Sequence, residues 1–202
     1  MSRPAKLNNL LACTQAAIAA RVAADTAPAR AMRRVAAALS SPVPQRSSPA
    51  PRLLPVCEFL HAAIATLEQR APDLSPVAAA LRELAPQLVW RQRSNDDPVF
   101  MQSHANAALV GAEPDALEQR SDVRVGISLV APGVTYPDHR HPPEEVYIVL
   151  SEGDWRQESG PWHAPGIGGI VYNPHDIVHA MRSGRSPLLA IWCLPVDARN
   201  GA

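Results

Sequence analysis

Gly133-Val-Thr-Tyr136-Pro-Asp-His139-Arg-His141-Pro-Pro-Glu-Glu145-Val-Tyr147 decides the reading of this chain, because it gathers two histidines, a paired carboxylate and two tyrosines into fifteen residues. In an extended strand, side chains two positions apart leave the same side of the backbone, so the imidazoles of His139 and His141 are placed to give one nitrogen each to a single cation. Beyond the Pro142-Pro143 turn the segment to Leu150 alternates: Glu145, Tyr147 and Val149 face one way, and Val146, Ile148 and Leu150 the other. Tyr147 therefore points where Glu145 points.

A second stretch completes the pattern. In Gly168-Gly-Ile-Val-Tyr-Asn-Pro174-His175-Asp-Ile-Val-His179, a glycine, an apolar strand and a proline turn lead into a histidine, as when a returning strand delivers one more ligand. His175 and His179 also stand at the spacing of a helical ligand pair, but the proline turn favours His179 alone. Together the two stretches resemble the paired motifs of the cupin superfamily, Gly-x5-His-x-His-x3-Glu-x6-Gly and Gly-x5-Pro-x-Gly-x2-His-x3-Asn. Gly133, His139, His141, Glu145, Gly168, Pro174 and His179 fall on the pattern. Gly153 comes one residue late, Asp176 replaces the second-motif glycine, and Ser183 replaces the asparagine; all three are turn positions rather than ligands.

A narrower resemblance covers roughly residues 100 to 195. The string Tyr136-x2-His139-x-His141-Pro-Pro-x-Glu145-x-Tyr147-x-Val149-Leu150-Ser151, followed by Trp155 and preceded by a helical segment, is similar to the bacterial cupin-type dimethylsulfoniopropionate (DMSP) lyases. This resemblance implies a mainly β fold, a cupin double-stranded β-helix or jelly-roll barrel with an α-helical N-terminal extension. It also implies a divalent transition metal held by His139, His141, Glu145 and His179, with Tyr147 as general base and Tyr136 as the second phenol. The reaction implied is base-catalysed β-elimination of a small zwitterionic substrate to dimethyl sulfide and acrylate. A His3Glu ligand set suits iron, manganese, zinc, cobalt or nickel. A buried core phenol is the competing reading of Tyr147. Trp155, Trp162 and Trp192 are ordinarily packing residues, but as a group they can offer an aromatic face to the sulfonium. The same ligand set also serves an iron-dependent dioxygenase, which oxygen-dependent turnover would reveal, or a non-catalytic metabolite-binding cupin, which a ligand would stabilise without product.

Composition narrows the partners. Lys plus Arg and Asp plus Glu both number 19 in 202 residues, so formal net charge is zero and there is no electrostatic footprint for nucleic acid or an anionic membrane. Cys13, Cys57 and Cys193 are odd in number and lack metal-type spacing, which points to a reducing, cytoplasmic compartment rather than a disulfide framework. Leu10-Leu-Ala-Cys13 has the look of a lipoprotein cleavage site, but Asn8-Asn9 interrupts its apolar region, and no run reaches the ~18 apolar residues of a membrane span.

Along the chain, residues 1–40 read as an alanine-rich helical segment broken near Asp25-Thr-Ala-Pro28, 41–54 as a proline- and serine-rich linker, and 55–87 as further helices packing on or capping the barrel. In the last of these, Ser75-Pro76 is expected to open a helix with serine as N-cap. Residues 88–202 then read as the barrel, with strands over 88–92, 107–110, 123–130, 146–150, 169–172 and 188–194. The helices can cap the barrel mouth, pack on its outside or build a homodimer, and their periodicity leaves all three open.

Overall fold

The segment Val123–Val130 lies between two hydrophobic clusters and serves both. Val123, Val125, Ile127 and Leu129 enter the larger cluster together with the helices, while Arg124 and Ser128 line a cavity on the opposite face. Residues 3–43, 49–94 and 97–196 are described by a computed structural model of the chain, so part of the proline-rich stretch at 44–48 and the end of the expected barrel segment at 197–202 lie outside the described residues.

The helices are α1 (Ala5–Ala19), α2 (Ala27–Leu39), α3 (Leu60–Arg70), α4 (Ser75–Leu84) and the short α5 (Pro98–Ser103). The strands are β1 (Trp90–Arg91), β2 (His104–Gly111), β3 (Glu118–Gln119), β4 (Val123–Val130), β5 (Thr135–His139), β6 (Glu145–Val149), β7 (Asp154–Gln157), β8 (Ile170–Asn173), β9 (His179–Arg182) and β10 (Leu188–Pro195). They form a seven-stranded sheet ordered β1-β2-β4-β10-β6-β8, with β3 beside β2, and a three-stranded sheet ordered β5-β9-β7. This is the two-sheet cupin barrel the motifs imply.

Strand β10 sits at the centre of the large sheet between β4 and β6, and its side chains divide by parity. Leu189, Ile191 and Cys193 join the helix-side cluster, whereas Leu188, Ala190, Trp192 and Leu194 fill the barrel interior. Burial on both faces explains why its sequence is an almost continuous apolar run. On β6, Val146 and Ile148 go to the helices and Tyr147 and Val149 to the interior, as the alternation requires. Helix α2 buries Ala31, Met32, Val35 and Leu39 and lies against β10, β6 and β4. The N-terminal helices therefore pack on the outer face of the large sheet. An ion cluster ties the start of the chain to this frame: Arg3 and Arg120 both reach the buried carboxylate of Glu118, and Arg3 Nη2 lies 3.0 Å from its Oε1.

Several local expectations shift. Ser75 is the first residue of α4 rather than its cap, because a 3₁₀ turn over Pro72–Leu74 runs directly into the helix and leaves Leu74 at the cap position. Strand β5 ends at His139, so His141 lies in the following turn instead of sharing one extended strand with it. The two prolines at 142 and 143 cannot donate to a ladder, and the register of β5 on β9 is already irregular between Tyr136 and His139.

Candidate metal centre and cavity

Cross-strand pairing assembles the site. His139, at the end of β5, is the register partner of His179 at the start of β9, and their ring centroids are 4.1 Å apart. Glu145 opens β6, and His141 reaches it from the intervening turn. The Nε2 atoms of His141 and His179 each lie 3.3 Å from Glu145 Oε2. The ligand atoms of His141, Glu145 and His179 all fall within 4.8 Å of one another. His139, at the end of β5, adjoins this group through its cross-strand partner His179.

Backbone carbonyls set which nitrogen each ring turns inward. The Nδ1–H groups of His139, His141 and His179 donate to the oxygens of Pro137 (2.9 Å), Pro143 (2.9 Å) and Ile177 (3.0 Å). Each Nε2 is thereby left to carry a lone pair. His179 Nε2 is buried and faces Glu145 Oε2. Lone pairs that converge with nothing positive between them fit a cation, by the chemistry of the donors themselves.

The charges of these groups are coupled. Burial alone would raise the Glu145 carboxyl, but the His141 and His179 imidazoles outweigh it and keep the group ionised well below the usual carboxylate range. For His141, burial works against the proton, and the Glu145 carboxylate more than restores it, so its value is raised. His139 is pushed down to about 3, first by burial and then by His179, and is a neutral ring at any ordinary pH. Tyr147 is held well above the usual phenol range by burial, then by the charge of Glu145 and by neighbouring Tyr136.

A cavity of about 390 Å³ opens onto this group, with Tyr136, Tyr147, His139, His141 and Glu145 in its lining and Arg91, Arg93, Arg124 and Arg140 also on its wall. Arg91 pairs with Asp115, and Arg124 with Glu113. The tryptophans separate. Trp192 lines the cavity, and the close approach of its ring requires glycine at 126, where a Cβ would meet Trp192 Cζ2 at 2.2 Å. The Arg124 guanidinium lies 5.8 Å from the Trp192 ring centroid. Trp155 is buried edge-on to Tyr147, with centroids 6.4 Å apart, and does not reach the cavity wall. Trp162 is held between Arg156 and Arg182, 4.8 and 4.5 Å from its centroid, and is likewise absent from the lining. Of the three tryptophans only Trp192 lines the cavity: Trp155 is buried in the interior cluster behind Tyr147, and Trp162 lies beyond the end of β7 against two arginines.

The motif departures are accommodated. Asp176, at the glycine position, has φ of 56°, so the turn keeps the left-handed conformation for which glycine is usual and aspartate tolerable. Ser183, at the asparagine position, donates from Oγ to Ala131 O (2.6 Å) and accepts from Val134 N (2.9 Å), holding the turn that leads into β5. The two ligand-bearing turns brace each other: Asp176 N donates to His141 O (3.2 Å) and His175 Nδ1 to Pro142 O (2.8 Å). His175 thus supports a turn and is not in the group.

Three contributors escape sequence reasoning. Asn173 is fully buried and donates to Glu145 Oε2 (2.9 Å); its only sequence signal is its parity with inward-facing Val171. Gln157 donates to Asn173 Oδ1 (2.8 Å). His104 is fully buried, stacked on Phe100 at 3.8 Å and edge-on to Tyr136 at 5.3 Å, with Nδ1 on Phe100 O (2.6 Å) and Nε2 accepting from Arg93 N (2.8 Å). With one ring nitrogen donating and the other accepting, a neutral ring packs against Tyr136, and burial lowers its pKa in the same direction.

Comparison with known proteins places this geometry among relatives. The family model described as dimethylsulfoniopropionate lyase matches residues 27–190. Dimethylsulfoniopropionate lyase DddQ of Ruegeria pomeroyi is 34% identical over 138 residues, a match spanning 63% of this chain and 67% of that protein. In structure, the chain is similar to one from the crystal structures of DMSP lyases RdDddP and RnDddQII, with TM-score 0.69, 22% identity, and coverage of 100% of this chain and 97% of the other. The crystal structure of R. pomeroyi DddQ gives TM-score 0.61 at 23% identity, covering 96% of this chain and 92% of that one. At these identities the two structures bear on the fold.

Proposed function

Because this chain belongs to the dimethylsulfoniopropionate lyase family, we propose that it is a carbon–sulfur lyase that cleaves dimethylsulfoniopropionate to dimethyl sulfide and acrylate at a metal centre built on His141, Glu145 and His179, with His139 as the fourth ligand. The observation that carries this reading is the convergence of these lone-pair donors beside two phenols in one cavity. A divalent transition metal (iron, manganese, zinc, cobalt or nickel), when bound, would supply Lewis acidity toward the substrate carboxylate, a contribution of several kcal/mol.

The chain's own residues account for the rest. Elimination removes the proton on the carbon next to the carboxylate; the C–H electrons form the C=C bond and the C–S electrons leave with sulfur. Dimethyl sulfide departs neutral, so no general acid is needed. Tyr147 is the proposed base and Tyr136 the second phenol. The Tyr147 proton is held in place by burial and by the Glu145 charge, so compensation of that charge lets the phenol ionise more readily and supplies more phenolate, the basic form. Trp192 offers the aromatic contact within reach of a sulfonium, and Met181, Leu194 and Ala108 make part of the wall apolar.

The test is headspace detection of dimethyl sulfide together with acrylate by NMR, using protein reloaded separately with each of the five metals. Equal amounts of both products, abolished in His141→Ala along with metal retention, are expected. Absence of product at every metal despite measured occupancy would overturn the assignment.

A further inference from the structure

The centre draws its ligands from two different sheets, and one pair of side chains joins those sheets directly behind it. Glu145 belongs to the large sheet, and its register partner on β8 is Asn173. His179 belongs to the small sheet, and its register partner on β7 is Gln157. These two partners meet: Gln157 Nε2 donates to Asn173 Oδ1 (2.8 Å) and to Tyr172 O (2.6 Å), and Asn173 Nδ2 donates to Glu145 Oε2 (2.9 Å).

The direction of the chain of bonds is determined by its ends. Gln157 Nε2 faces two acceptors, so it must be the amide nitrogen; Asn173 must then present its oxygen to Gln157 and its nitrogen to Glu145. A neutral donor orients the carboxylate without cancelling its charge, unlike the arginine partners of Glu113 or Glu118. Asn173 is fully buried, where an amide is retained only if its hydrogen bonds are made.

We propose that Asn173 and Gln157 are positioning residues, a clasp across the two sheets that holds Glu145 and His179 at their mutual distance and aims the Glu145 oxygen at the imidazoles. The proposal rests on the metal-centre reading above. It goes beyond it in assigning the geometry of that centre to two side chains that touch neither substrate nor metal.

Two variants probe it in the full chain. Asn173→Leu keeps much of the volume and removes both bonds. Gln157→Glu is isosteric at a half-buried position, but its carboxylate cannot donate, so the Asn173 amide must turn over and set its oxygen against Glu145. Metal-free protein is titrated with cobalt(II), following visible d–d absorption for coordination geometry and competition with a chelating indicator for Kd. Both variants are expected to raise Kd by about 10- to 100-fold and to shift the absorption band. Gln157→Glu should do so while the metal-free protein keeps a single cooperative thermal transition, which separates positioning from loss of the fold. If both bind cobalt with the wild-type Kd and spectrum while His141→Ala does not bind it, the clasp is refuted and the metal centre stands. If His141→Ala itself binds as wild type, the metal-centre reading fails and the clasp falls with it.

Discussion

Replacing Tyr147 by phenylalanine deletes one oxygen from a ring that is 3% exposed and packed edge-on to Trp155, with Val171 and Trp192 as its cross-strand partners. The ring contacts survive the change. Loss of one buried hydroxyl alters folding stability by about 0.5–1.5 kcal/mol, so the variant should fold and keep its metal. Activity is another matter. A positioned base contributes about 10²- to 10⁴-fold, which at ~1.36 kcal/mol per decade is about 3–5.5 kcal/mol of barrier. Because burial and the Glu145 charge hold the phenol proton above the ordinary range, the wild-type rate should climb with pH by up to about tenfold per unit below the phenol's working pKa. Tyr147→Phe should lose that limb. Initial rates of acrylate formation between neutral and alkaline pH, with metal content measured on the same samples, test both parts. A metal-replete Tyr147→Phe protein within tenfold of wild type, with the same pH slope, would refute the assignment and move attention to Tyr136.

Glu118→Gln removes the charge that Arg3 and Arg120 share in a buried cluster and should cost about 3–5 kcal/mol at neutral pH, read as a lowered urea midpoint. Burial tends to raise the Glu118 carboxyl, but Arg3 and Arg120 leave it lowered. The stabilisation is therefore fully present above the unfolded value of about 4.3 and is lost as pH falls through the folded value, so wild type and variant should converge in acid. Equal midpoints at pH 7 would show that the cluster contributes nothing. Trp192→Phe should raise KM for dimethylsulfoniopropionate while Trp162→Ala, whose ring lies between Arg156 and Arg182 and off the cavity wall, should leave kcat/KM near wild type. The opposite pattern in steady-state kinetics would mean that the substrate lies elsewhere.

The parts of the fold that were legible follow local periodicity. In β4, β6 and β10 a strict two-residue alternation separates helix-facing from interior-facing side chains, and any sequence that must satisfy two cores records this in its pattern. Strand β7 left no such trace, since Asp154-Trp-Arg-Gln157 is short, mostly half-exposed and polar, and a strand that buries little apolar surface has little pattern to show. The Ser75 cap failed for a related reason: a preceding 3₁₀ turn changes the backbone the serine meets, and capping depends on that backbone.

Strand parity in the sequence alone determined the shared face of Glu145 and Tyr147, and the family resemblance carried by the motifs implied the barrel and a His/Glu donor set, because residue identity and strand parity are properties of neighbours along the chain. Only the tertiary structure decided that His139 adjoins the three-residue group through His179, that one tryptophan of three reaches the cavity, and that Asn173 and Gln157 join the sheets behind Glu145. Those facts depend on contacts between segments brought together by sheet pairing. The pKa values of Tyr147 and His139 belong with them, since burial and a nearby charge are set by the fold around a residue.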